Sequence, residues 1–206
     1  MTPLCELARK YETDKGGQHY RYGGGDSDTN HNYTPVYHEL FGTWREQVSH
    51  VLEIGINAGS SLKMWQEYFP YAHIVGIDCD PGTFRHTKDD PRISCHLADQ
   101  NNPVDLYKVM DSLDPARGRF QLIIDDGSHV REHQVTSMKT LLPYLSLDGI
   151  YVVEDIGTMA EPPEALPLAV LPGFKGKYRK IVGGLGWKVQ PFEWLYIVRR
   201  DPPLTL

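Results

Sequence analysis

Apolar residues fall in short, nearly unbroken runs separated by amphipathic stretches. Runs around Val51-Leu52-Glu53-Ile54, Ile74-Val75-Gly76-Ile77 and Leu122-Ile123-Ile124 predict strands at 51–55, 74–78 and 120–125, with further strands at 93–98 and 149–154. Continuous rather than alternating runs are expected of parallel strands covered on both faces. Helical spacing between them predicts helices at 60–68, around 83–87, at 103–113 and at 131–145. Five successive β-α units define a doubly wound, mostly parallel α/β sheet.

Both ends depart from this rhythm. A short helix at 4–12 is followed by a polar, glycine-rich loop over 16–32, long enough to suggest a functional lid. After Pro35, a helix from Val36 to Glu46 carries Tyr37, Leu40, Phe41 and Trp44 at core spacing. Residues 157–177 contain Pro162, Pro163, Pro167 and Pro172 and predict an irregular segment on the substrate side. The runs at 178–182, 186–190 and 194–199 predict a closing antiparallel hairpin. The expected organisation is one domain over 1–206, with an N-terminal helical and lid segment over 1–50.

A net charge of −6 argues against sequence-independent binding to a phosphate backbone, so no nucleic-acid partner is expected. Cys5, Cys79 and Cys95 form no CxxC pair, which fits a reducing cytoplasm better than a disulfide framework. No run approaches the ~18 apolar residues of a membrane span, so a soluble cytoplasmic protein without membrane partners is expected.

The candidate chemistry gathers at strand ends, where ligands bind in open α/β sheets. Ile123-Ile124-Asp125-Asp126-Gly127-Ser128-His129 closes the fourth strand, and Val152-Val153-Glu154-Asp155 the fifth. Asp126, Glu154 and Asp155 supply three hard oxygen ligands, the set that suits magnesium. His129 at the same rim could take a proton from a hydroxyl made acidic by that ion. His133 is the second candidate base. Read blandly, the same acids are caps, with Asp126 and Ser128 serving a helix from Arg131 and Asp155 opening a loop; four acids and a histidine at adjacent strand ends favour a site.

A second constellation lies upstream. Gly55 and Gly59 permit close backbone approach to a ligand, and Ser60 or Ser61 can cap a helix whose free N–H groups attract an anion. The spacing is GxxxG, without the GxGxxG pyrophosphate fingerprint. Asp78 ends the second strand, placed for a ribose diol, and Asp99-Gln100 follows the third, placed for an adenine edge. Glu53 is a costly mid-strand carboxylate whose expected role is to orient the glycine turn or the ligand. The combination favours S-adenosylmethionine over a dinucleotide, with Glu53, Gly55, Asn57, Gly59, Ser60, Ser61, Asp78, Asp99, Gln100 and Asp125 as its expected contacts.

At Thr13-Asp14-Lys15, Tyr33, Phe41-Gly42, Val51-Leu52-Glu53-Ile54-Gly55, Ser61-Leu62-Lys63-Met64-Trp65, Tyr68-Phe69-Pro70, Ile74-Val75-Gly76-Ile77-Asp78, Asp99-Gln100, the Asp125–His129 turn and Val153-Glu154-Asp155, the chain resembles the metal-dependent sugar O-methyltransferases of macrolide biosynthesis. The resemblance runs through most of their catalytic domain; the large N-terminal domain of some of them has no counterpart in these residues, and the Gly55–Gly59 turn is shorter than their usual loop. It implies a Rossmann-like class I methyltransferase architecture, S-adenosylmethionine as methyl donor, magnesium at Asp126, Glu154 and Asp155, and His129 as general base. The expected acceptor is a hydroxyl of a sugar or other small natural product. Three alternatives stay open: a catechol-like phenolic acceptor, a non-catalytic S-adenosylmethionine-binding regulatory partner, and a metal-dependent hydroxylase or hydrolase. A homo-oligomer is also open.

Overall fold

The computed structural model describes residues 1–16, 31–87, 89–113, 119–156, 171–182 and 192–201. Seven strands form one sheet: β1 (His50–Ile54), β2 (His73–Asp78), β3 (Ile93–Leu97), β4 (Phe120–Asp125), β5 (Leu145–Val153), β6 (Phe174–Val182) and β7 (Phe192–Arg200). Their order is β3-β2-β1-β4-β5-β7-β6. The first five run parallel; β7 lies antiparallel to β5, and β6 antiparallel to β7. Strand order reverses between β1 and β4, and the crevice beyond their carboxyl ends is where such sheets take ligands.

Among the described residues five α-helices cover the two faces: α1 (Pro3–Tyr11), α2 (Thr34–Phe41), α3 (Ser60–Tyr68), α4 (Pro103–Ser112) and α5 (Arg131–Leu141). Leu4, Tyr37, Phe41, Leu62 and Trp65 from α1 to α3 pack with Val51, Leu122, Ile124 and Val152. Leu106, Val109, Met138 and Leu141 from α4 and α5 pack with Leu52, Ile123, Tyr151 and Val153. Neighbours along one strand therefore enter opposite cores, which is why the apolar runs are unbroken.

Several boundaries differ from the pattern. Helix α5 ends at Leu141 rather than 145, because Pro143 removes an N–H donor and the chain tightens into a 3-10 turn at Leu142–Tyr144. Strand β5 begins at Leu145, four residues early; its Ser146-Leu147-Asp148-Gly149 looks like a turn, but belongs to a strand that is exposed at Leu147 and Asp148 and meets β4 through a register shift. Strand β6 begins at Phe174, inside the stretch expected to be irregular, since its lysine-rich edge lacks an apolar run. The expected helix at 36–46 is shorter, with α2 giving way to a 3-10 turn at Arg45–Gln47. Most of the expected lid and of the 157–177 segment, and the whole 186–190 strand, lie outside the described residues. Among the described residues no helix is long and apolar enough to cross a membrane.

Candidate active site

At the end of β1 the chain turns through Gly55 at φ 92°, and a Cβ there would overlap the carbonyl oxygen of Asp126. Only glycine lets β1 and β4 release their chains this close together. Asn57 (φ 46°) and Gly59 (φ 73°) continue the turn in the left-handed region. Gly59 is the N-cap of α3, and no side chain bonds the first turn, so Ser60 and Ser61 are helical residues rather than caps. The helix start keeps its N–H groups available to an anionic ligand. The Ser61 hydroxyl instead donates to Glu53 Oε2 at 2.8 Å. Asp78 closes the other side, accepting the Ile56 N–H at 2.8 Å on one oxygen and the Asp80 N–H at 2.9 Å on the other.

Across the crevice, the acids of β4 and β5 surround one cation. Lys15 is 1% exposed, donates to Asp126 Oδ2 and Glu154 Oε2, and lies 3.4 Å from Glu53 Oε1. Burial alone would lower its pKa, yet Asp126, Glu154 and Glu53 hold the ammonium well above its usual range. The carboxyls move the same way. Burial pushes Asp126 and Glu154 up against the pull of Lys15, and carries Glu53 to about 7. Burial disfavours the charged form of each of these groups, and their mutual attraction works against it.

Three ligand atoms face the open side. Asp126, His129 and Asp155 each offer one, all within 4.8 Å of one another. His129 and Asp155 both sit at positive φ, 56° and 53°, a rare state for residues with side chains. The His129 imidazole Nε2 lies 3.6 Å from Asp155 Oδ2. On the far side of Asp155, His31 Nδ1 is 3.4 Å from Oδ1, its Nε2 is 3.6 Å from Asp14, and the Tyr33 hydroxyl donates to Oδ1 at 2.5 Å. His133 shares a 2.9 Å hydrogen bond with Ser128 Oγ at the rim.

A cavity of about 850 Å³ joins these parts, walled by the Gly55–Ala58 turn, Ser60, Ser61, Asp78, Asp99, Gln100, Asp126–His129, Glu154, Asp155 and the Glu12–Lys15 segment. Three expected contacts stand outside its wall, one of them Gly59, the N-cap of α3. Asp125 is fully buried behind it, accepting from Gln100 Nε2 at 3.0 Å, from Ser137 and from Tyr151. Strand alternation accounts for this: Asp125 follows Ile123 toward α5. Glu53 is likewise enclosed, bonded to Ser61. Gln100 reaches the cavity with its amide already committed, its oxygen accepting the Ser128 N–H at 2.6 Å. Glu154 Oε1 accepts from Tyr37 at 2.5 Å. Lys15, Tyr33, Tyr37 and His31 carry roles that the strand-end pattern does not single out. The available signal was electrostatic, since so many acids at one rim require a cation from elsewhere in the chain.

The fold is that of a class I methyltransferase. Over 182 residues the chain is 35% identical to the 8-demethyl-8-alpha-L-rhamnosyl tetracenomycin-C 2'-O-methyltransferase of Streptomyces olivaceus, covering 85% of this chain and 40% of that protein. It is 33% identical over 181 residues to the mycinamicin VI 2''-O-methyltransferase of Micromonospora griseorubida, covering 84% of this chain and 38% of that one. Among solved structures, the MycE methyltransferase of the mycinamycin pathway in complex with Mg, SAH and mycinamycin VI superposes with a TM-score of 0.61 at 33% identity, over 75% of this chain and 37% of that chain. The chain thus spans about two fifths of the length of the curated relatives it matches. No protein-family profile matches it.

Proposed function

We propose that the chain is the catalytic domain of an S-adenosylmethionine- and magnesium-dependent O-methyltransferase acting on a hydroxyl of a sugar or other small natural product. The observation that carries this is the single cavity in which the glycine turn and Asp78 face Asp126, His129 and Asp155. Sugar O-methyltransferases are the relatives it matches, and Mg and SAH are bound in the similar structure. Domain extent over 1–206 and a cytoplasmic setting, in keeping with the free Cys5, Cys79 and Cys95, belong to the same proposal.

In this reading the uncapped start of α3 and the backbone of Gly55–Ser61 receive the amino-acid end of the donor, Asp78 the ribose, and Asp99 with Gln100 the adenine side. Asp126, Glu154 and Asp155 would hold magnesium, whose charge there lowers the pKa of an acceptor hydroxyl. His129 takes the hydroxyl proton on its imidazole, and Asp155, 3.6 Å away, stabilises the imidazolium that results. The acceptor oxygen forms its bond to the methyl carbon as the carbon–sulfur bond breaks, and the cavity's task is to keep both partners at near-attack distance. Gln100 and the buried Asp125 hold the Ser128 end of the turn, and so the position of His129.

Calorimetric titration with S-adenosylmethionine tests the donor half. Wild-type protein should bind it, and Asp78→Ala should weaken binding by about 1–3 kcal/mol, the scale of hydrogen bonds to charged partners. Equal affinity in a folded Asp78→Ala variant removes Asp78 from the site, and no binding by wild type removes the function.

A further inference from the structure

Lys15 presents its ammonium to two of the three carboxylates assigned to the ion. It donates to Asp126 Oδ2 and Glu154 Oε2, and both oxygens of Glu154 are thereby committed, the other accepting from Tyr37. Asp155 is not bonded to the lysine; it faces His129 and the cavity, where the ligand atoms of Asp126, His129 and Asp155 converge. An ion arriving from the cavity can therefore meet Asp126 and Asp155 directly. Glu154 joins it only by loosening its bond to Lys15.

We propose that Lys15 is a built-in counter-ion that competes with the divalent cation for Asp126 and Glu154, keeping the site ordered without metal and the metal exchangeable. The inference rests on the metal reading above. Glu53, Asp126, Glu154 and Asp155 bring four potential negative charges to one lysine. A divalent ion adds two charges at the same place, so ammonium and ion are neighbours of like sign around shared oxygens, and attraction to the acids is divided between them. Without the lysine the acids would face one another unscreened in a buried pocket, and the ion alone would relieve them. A lysine that merely ties the N-terminal segment to the sheet predicts the opposite, since its loss would scatter the ligands and weaken binding.

The side chain can be changed without releasing its segment. The Tyr33 and Thr34 N–H groups both bond the Lys15 carbonyl, at 3.0 and 3.1 Å, and the His31 N–H bonds the Asp14 carbonyl at 2.8 Å. Lys15 is thus a positioning residue with a charge role separable from its backbone role.

Manganese titrated calorimetrically into the full chain is the test, beside thermal melts with and without magnesium. Lys15→Met should bind manganese about tenfold or more tightly than wild type, because a like charge beside the ion is gone. Lys15→Arg should stay close to wild type. Without metal, Lys15→Met should melt lower than wild type, and magnesium should raise its melting temperature by more. Lys15→Gln is read in the same way should the methionine variant not fold. Equal or weaker manganese binding by a folded charge-free variant overturns the proposal while leaving the metal site standing. Absence of manganese binding in wild type overturns the metal reading, and the proposal with it.

Discussion

The Tyr37 hydroxyl donates to Glu154 Oε1 at 2.5 Å, with both side chains fully buried between α2 and the end of β5. Four residues earlier, Tyr33 donates to Asp155 Oδ1 at the same distance. Consecutive acids on a strand end are thus addressed by tyrosines spaced one helical turn apart. The α2 helix, which looks like plain core from its aromatics, also sets the orientation of the acidic site.

Removing one of these donors leaves a buried carboxylate short of a partner. Tyr37→Phe should lower stability by about 1–3 kcal/mol in denaturant unfolding, with little change of side-chain volume. A loss too small to measure would mean that Glu154 does not depend on this bond.

Glu53 gives a pH signature. Burial raises its carboxyl from 4.5 to about 7, against the pull of Lys15 and the Ser61 bond. A group raised in the folded state contributes stability that is complete below the unfolded pKa and lost as pH rises through the folded one. The stability of wild type relative to Glu53→Gln should therefore fall between about pH 4.5 and 7. Paired melts across that range measure it, and a difference that grows with pH would contradict the raised carboxyl.

The strands and the acidic rim are legible in the sequence because they follow from local rules. Residues covered on both faces read as unbroken apolar runs, and parallel strands bring their carboxyl ends to one side. Asp125 was expected among the donor's contacts, although alternation puts it on the strand face of Ile123, which points into the α5 core rather than the cavity. The part played by Lys15 was not legible. Thr13-Asp14-Lys15 carries part of the resemblance, but the role of the lysine depends on partners 111 and 139 residues away. The positive φ of His129 and Asp155 was hidden for another reason, since residues with side chains seldom take it, although His and Asp do so more often than most. The early start of β6 was missed because a lysine-rich edge strand lacks the apolar run that marks the central ones.

The choice of base separates two histidines on one cavity. His129 lies 3.6 Å from Asp155, whereas His133 is bonded to Ser128 at the rim. His129→Ala should reduce turnover by ~10²- to 10⁴-fold with donor affinity nearly intact, as expected for a group needed at the transition state. His133→Ala should do much less. Single-turnover rates and donor titrations on both variants decide it; a crippled His133→Ala beside a mild His129→Ala reverses the assignment.

Dependence of methyl transfer on a hard divalent ion is the most direct test of the whole account. Transfer from S-adenosylmethionine to a glycosylated natural-product acceptor should vanish after exhaustive chelation and return with magnesium, because Asp126, Glu154 and Asp155 offer oxygen ligands and no thiolate. Full transfer by metal-free protein would contradict the account and leave these acids with structural roles alone.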